Sequence, residues 1–306
     1  MNKISFLFLS TFLVTVSFFA NLESVDSSFQ LIVAVLFIVL LGIPHGAIDH
    51  IIFLEDNATV RPLHFYGFYL GLMSLYLFFW IVFPMFSFIL FLTMSAYHFG
   101  QSQFSEIPSN QLFGNYILYF IWGTSILSGL SLYNIDEILL TADMSADMSF
   151  LSVIFNERLL SILLPLSTII TFFILLIATR KKQISYERFF FEVYILILIH
   201  ISFYILPLTV GFTLYFVILH SFKVLSEEFS YLKSRRNNFS VSSFIKLLIP
   251  FTVVSVVGGS IVMICAQYQL IGISKVLLVF VLISVVTLPH SFVMHDFYKK
   301  FTRKTS

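Results

Sequence analysis

Cysteine is almost absent. Cys265 stands alone among 306 residues, which excludes an intramolecular disulfide and any metal cluster built on cysteine. Charge is scarce as well: Asp, Glu, Lys and Arg make up 11% of the chain, and the 17 basic residues nearly cancel the 16 acidic ones. A net charge of +1 lacks the basic footprint of a nucleic-acid-binding protein, so no nucleic acid is expected as a partner. Internal repeats and low-complexity tracts are missing too. The simplest organisation is therefore one continuous membrane domain over residues 1–306.

What the chain does contain is apolar. It is 58% hydrophobic, with a mean hydropathy of +0.97. A soluble domain of this size could not solvate such a surface, and the composition belongs to the membrane class, with the lipid bilayer as solvent. A helix needs about 20 apolar residues to cross the hydrocarbon core. Ten stretches qualify: 4–20, 30–53, 64–83, 85–104, 112–133, 159–179, 189–206, 208–226, 244–265 and 276–298. Only Pro84 separates the third from the fourth, and only Pro207 the seventh from the eighth. The start of the chain has the outline of a signal peptide. Ala20 offers a poor cleavage site, however, and nine more apolar spans follow, so 4–20 reads as an uncleaved first helix. The expected fold is all-α, a polytopic transmembrane helical bundle.

Cationic residues mark cytoplasmic loops. The basic segments are Arg180-Lys181-Lys182, the loop with Lys233, Arg235 and Arg236, and the tail from Lys299 to Lys304. The loop at 134–150 carries Asp136, Glu137, Asp143 and Asp147 without a Lys or Arg, and the loop at 21–28 is acidic in its charges. With ten spans and both termini cytoplasmic, every basic segment falls inside and both acidic loops fall outside. Removing one span would scatter the basic segments over both sides.

Six of the eight histidines sit in or at the ends of apolar spans in recurring contexts: His45 and His50 in Gly-Ile-Pro-His-Gly-Ala-Ile-Asp-His, His98 in Ala-Tyr-His-Phe-Gly, His220 in Ile-Leu-His-Ser-Phe-Lys, and His290 in Leu-Pro-His-Ser with His295 beyond it. Ionisable groups at membrane depth are costly and mark functional sites, and imidazole is the commonest metal ligand. Under the ten-span topology, spans 2, 4, 8 and 10 all run from outside to inside. His45, His98, His220 and His290 then lie about 6–9 residues, or ~9–14 Å at 1.5 Å per residue, from the cytoplasmic ends. Four imidazoles on four helices can thus meet at one level. His200 runs the other way and lands nearer the outer half, and His64 begins its span at the interface.

Each motif also has a bland reading. Pro44 removes a backbone donor and frees a carbonyl, Gly46 allows close approach, and Asp49 sits four residues after His45, on the same helical face. A carboxylate there could take the ligand's second ring N–H; the alternative is a simple proline kink. His98 could be an interfacial histidine beneath an aromatic belt. Lys223, next to His220, can snorkel to the cytoplasm, and Glu227, Glu228, His295 and Asp296 read as interfacial. The 39 Phe and 14 Tyr mostly face lipid and headgroups, with a subset available to line a tunnel for a long apolar substrate. Three functions remain open at this point: a metal-dependent enzyme, a haem-b electron carrier with histidines on facing helices, and a His/Asp proton-coupled transporter.

At these motifs the chain resembles the Brp/Blh family of integral-membrane β-carotene 15,15′-dioxygenases. The residues that carry the resemblance are Gly42-Ile43-Pro44-His45-Gly46-Ala47-Ile48-Asp49, Tyr97-His98-Phe99-Gly100, Tyr215 through His220-Ser221, and Leu288-Pro289-His290. It covers nearly the whole chain. It implies a multi-pass protein of the bacterial inner membrane with an Fe(2+) centre, which splits β-carotene centrally with O₂ into two retinal molecules destined for a rhodopsin. It also implies that His45, His98 and His220 are metal ligands, with no catalytic residue beyond the metal centre. One position departs from the pattern. The resemblance implies a further ligand histidine four residues after His220, and Val224 stands there. Either three histidines suffice or another group completes the set: His290 is the first candidate, and His50, Asp49 and Glu228 are weaker ones, with Asp49 and His50 otherwise expected in support around the metal.

Overall fold

A computed structural model describes residues 3–20, 26–57, 59–107 and 114–305, of which Asp56 and 301–305 are described by their backbone alone. Glu23 of the acidic 21–28 loop and the basic side chains of the extreme tail lie outside the described residues. Among the described residues there is no strand; the protein is a polytopic helical bundle.

The helices follow the apolar runs closely. α1 spans Lys3–Ala20, and α2 spans Ser27–Phe37. The second membrane stretch then loses regular α geometry. A π-helical segment, Ile38–Gly42, passes into a 3-10 turn, Ile43–Gly46, before α3 resumes at Asp49–Asp56. Pro44 is the cause, since it cannot donate the α-helical bond and its ring crowds the preceding turn. α4 (Pro62–Val82) and α5 (Pro84–Gln103) each begin on proline, whose fixed φ suits the first helical position. α6 (Asn115–Tyr133) leads through the short α7 (Ile135–Asp143) and α8 (Leu151–Ile154) to α9 (Glu157–Arg180) and α10 (Tyr186–Ile205). Beyond Pro207 come α11 (Leu208–Leu214), a second π-helical segment (Tyr215–Ser221) and α12 (Phe222–Arg235) in one continuous run. α13 (Val241–Gln267) and α14 (Lys275–Thr305) complete the chain. Side chains cap several starts: Asp26 accepts from the Phe29 N–H, Asn156 from Leu159, Ser185 from Arg188 and Ser240 from Ser243. Each cap satisfies a helix-end donor that lipid could not.

Nine helical stretches among the described residues are long and apolar enough to cross a membrane. The tenth predicted span, α5, is the exception, and its environment explains why. Ser95, Ala96 and every residue from His98 to Gln103 are buried inside the bundle, so its polar second half never meets lipid. α5 and α6 cross at van der Waals contact of their backbones: a Cβ at Gly100 would collide with the Tyr119 carbonyl, and one at Gly123 with the Ala96 carbonyl. Small residues let membrane helices approach this closely. The crossing brackets His98 and sets its depth.

The largest apolar cluster joins α1, α5, α6, α9, α10 and the second π segment around Trp122, Phe104 and Ile199. Phe8 and Phe12 bring α1 into it, so the first helix is packed as part of the bundle. A second cluster joins Ala47, Ile48, Val224, Met294 and Phe297. The histidine motifs lie where these two clusters abut: Phe99 and Leu219 belong to the first, Ala47 and Val224 to the second.

Candidate metal centre

The broken second span, α5, the second π segment and α14 bring four imidazoles into one closed circuit. Ring centroids lie 5.3 Å apart for His45 and His220, 4.8 Å for His220 and His98, 5.1 Å for His98 and His290, and 4.8 Å for His290 and His45. Each adjoining pair is nearly perpendicular, at 82–85°. His98, His220 and His290 are 2%, 1% and 3% exposed, and His45 is half-buried. Ring nitrogens of His45, His98 and His220 all lie within 4.8 Å of one another. Metal–imidazole bonds of ~2.0–2.2 Å need donors no more than about 4.4 Å apart, so a small side-chain adjustment would let the three share one ion.

The hydrogen bonds assign the tautomers. His45 Nδ1 bonds the Gly42 carbonyl, which can only accept. His290 Nδ1 lies 2.8 Å from Asp49 Oδ1, a carboxylate acceptor. Ser102 Oγ spends its single proton on the Phe99 carbonyl, so at 3.0 Å it accepts from His220 Nδ1. All three rings therefore carry hydrogen on Nδ1 and turn a lone pair outward from Nε2. Nε2 of His220 and His290 and both ring nitrogens of His98 are buried with no hydrogen-bond partner. A buried polar atom left unpaired costs ~1–3 kcal/mol. Several such atoms, on rings held from behind, are the kind of donors that could hold a metal ion.

The supporting contacts differ from expectation in instructive ways. Asp49 does not serve His45, because the 3-10 turn ends before Asp49 and breaks the four-residue register. It holds His290 instead, while its second oxygen accepts from Tyr69 Oη at 2.9 Å. The sequence pointed to neither Tyr69 nor Ser102, since a hydroxyl carries no signal of what another helix will place opposite it. His50 points away from the cluster, its ring 4.5 Å from Phe251 and 5.9 Å from Tyr66. Lys223 does not snorkel. Its Nζ is buried and donates to the carbonyls of Ser102 (2.5 Å) and Gln103 (2.8 Å), the unsatisfied end of α5, where a cation is favoured. Glu227 is also interior, accepting from Ser105 and from Tyr298. Glu228 is fully buried, with neither oxygen hydrogen-bonded. The interfacial reading fails for both because α12 runs on past the predicted end of its span, to Arg235, inside the bundle. His295 is half-buried against Tyr97 and Gln101, and Asp296 pairs with Lys300 at 2.5 Å. His200 stays outside the cluster, bonded to Ser125 of α6, and His64 is exposed at the start of α4. Val224 is sealed in the second apolar cluster at 0% exposure, where it cannot ligate.

Fold and site together define a polytopic α-helical membrane protein with a cluster of four histidines, three of them buried and His45 half-buried. A family model described as beta-carotene 15,15′-dioxygenase matches residues 36–298, a range that contains all four histidines, and the chain belongs to that family of dioxygenases. No curated protein and no solved structure matches it significantly.

Proposed function

We propose that the protein is a non-haem Fe(2+) dioxygenase of the bacterial inner membrane that cleaves β-carotene at its central 15,15′ double bond with O₂, releasing two molecules of all-trans-retinal. The observation that carries this reading is the set of buried, unpartnered ring nitrogens of His98, His220 and His290, in a closed circuit of rings that His45 completes. His45, His98, His220 and His290 would hold the iron. In this chain His290 takes over from the family's fourth histidine, whose position Val224 occupies. Neutral imidazoles would leave iron(II) a net positive charge and open positions, so its contribution when bound is to bind and activate O₂.

The chain's own residues do the rest. Gly42, Ser102 and Asp49 keep three rings in the ligating tautomer. Phe99 and Phe216 pack against His220 and Tyr215 backs Phe99, an apolar wall that would keep water from the reacting bond and orient an apolar substrate. β-Carotene dissolves in lipid, so its enzyme gains by working in the bilayer. The reaction balances with one O₂: the central carbon–carbon double bond breaks, two aldehyde carbonyls form, and no outside reductant is consumed. A rhodopsin is the natural recipient of the retinal. A haem-b carrier fits poorly, because four rings already in contact leave no gap for a macrocycle.

The test is expression in β-carotene-producing cells, with pigment followed by eye and retinal by chromatography. The purified protein should carry about one iron and no haem band in the visible spectrum. Unchanged pigment in cells whose membranes contain the protein would sink the proposal.

A further inference from the structure

Of the four histidines, His45 alone is not sealed, so the cluster meets its surroundings on His45's side. The ring against it there is Phe216, 5.7 Å away and edge-on. Phe216 lies in the second π segment, which the bundle otherwise encloses. From Gly211 to Ser221 every residue is buried except Phe212 and Phe216. Those two rings stack at 5.3 Å and 12°, and Phe216 stacks in turn on His220 at 5.5 Å and 23°. A column of three parallel rings thus leads from the open side of the segment onto the histidine cluster.

The opposite wall is the broken second span. Its π segment packs on the second π segment, and the closest approach is at Gly42, where a Cβ would come within 2.9 Å of Phe216 Cε1. Partly buried Ile38 and Leu41 continue that wall, and exposed Phe37 and Leu40 form its lipid rim. No charged or hydrogen-bonding side chain interrupts these residues before His45. A water-soluble ligand would find nothing to hold it here, whereas a conjugated hydrocarbon would. The stacked rings occupy each other's faces and present their electropositive edges, which favour contact with a π-electron face. The rings of Phe212, Phe216 and His220 step 5.3 and then 5.5 Å along the seam, a track for an extended conjugated chain.

We infer that the seam between residues 38–45 and 212–220 is the carotenoid's way from the bilayer to the histidines. The edges of Phe212 and Phe216 are the wall along which one half of the polyene lies, and Phe216 sets which double bond stops at the centre. The inference rests on the dioxygenase reading for the identity of its occupant.

The experiment titrates the iron-loaded, full-length protein with β-carotene in detergent without oxygen, so that binding is read without turnover, and then admits O₂ and resolves the products by chromatography. Phe216→Leu and, separately, Phe212→Leu should keep wild-type iron content, which certifies the fold. Phe216→Leu should weaken β-carotene binding about tenfold, the equivalent of losing one ring contact, and should yield unequal aldehydes from off-centre cleavage. His98→Ala should lose iron yet bind β-carotene as the wild type does. Hexadecane at equal concentration should not displace the pigment; displacement would make the seam a general acyl-chain groove and overturn the polyene assignment. Wild-type affinity with only central cleavage in both phenylalanine variants would overturn the wall itself. If the wild type binds β-carotene through Phe216 yet neither holds iron nor cleaves, the dioxygenase reading fails while the seam stands.

Discussion

Asp49 offers the sharpest test of how the centre is held. Its carboxylate sits between two donors, buried His290 Nδ1 at 2.8 Å and part-buried Tyr69 Oη at 2.9 Å. Asp49→Asn keeps the shape but replaces one acceptor oxygen with an N–H₂, so one donor must face another donor. A hydrogen bond to a charged group contributes about 1.5–3 kcal/mol. If His290 is the donor that loses, its tautomer and orientation are no longer fixed. Loss of such a supporting contact usually costs ~10–100-fold in metal affinity, or ~1.4–2.8 kcal/mol at 1.4 kcal/mol per tenfold. The two routes to the magnitude agree. Asp49→Ala strands both donors and should cost more. Tyr69→Phe leaves the His290 bond intact and should change iron affinity by less than about threefold, since only the carboxylate's second contact is lost. The assay is competition for ferrous iron against a chelator of known affinity, with thermal unfolding in detergent alongside. Wild-type iron affinity in Asp49→Asn would refute the reasoning, and so would a larger loss in Tyr69→Phe than in Asp49→Asn.

Three further outcomes are expected. His98→Ala and His290→Ala should each lose most of the bound iron and retinal formation while still inserting into the membrane; an iron-replete, active His290→Ala would remove His290 from the ligand set. Reporter fusions after residues 182 and 236 and at the C-terminus should read cytoplasmic, and one near Asp143 external, as the basic segments require; an external C-terminus would break the ten-span topology. Asp147, in the loop before α8, is pushed up in pKa by desolvation but pulled down further by hydrogen bonds, chiefly from the Ser274 backbone N–H at 2.7 Å, for a net lowering. A carboxylate depressed in the folded state stabilises above its unfolded pKa, near 4, and that contribution is lost as pH falls through the folded value. Wild-type protein should therefore lose thermal stability relative to Asp147→Asn on acidification below about pH 4; parallel curves through that window would show that Asp147 contributes nothing.

By itself the sequence determined the class of fold and pointed to the four histidines that the fold brings together. In a bilayer every span must satisfy its own backbone, so apolar runs, prolines and basic loops translate almost directly into helices and their ends. An ionisable ring at membrane depth costs enough that the positions of His45, His98, His220 and His290 were legible as one level. Local contacts were not legible, because they depend on what another helix presents. The 3-10 turn after Pro44 shifts Asp49 from His45 to His290. The close α5–α6 crossing buries the polar end of α5 and draws Lys223 inward to its bare carbonyls. Hydroxyls such as those of Ser102 and Tyr69 acquire a role only from the imidazole or carboxylate that packing brings within 3.0 Å. Only the tertiary structure decided these partners, because hydrogen-bond geometry is set by tenths of an ångström between segments up to 241 residues apart, while the hydrophobic pattern constrains only which face of each helix turns inward.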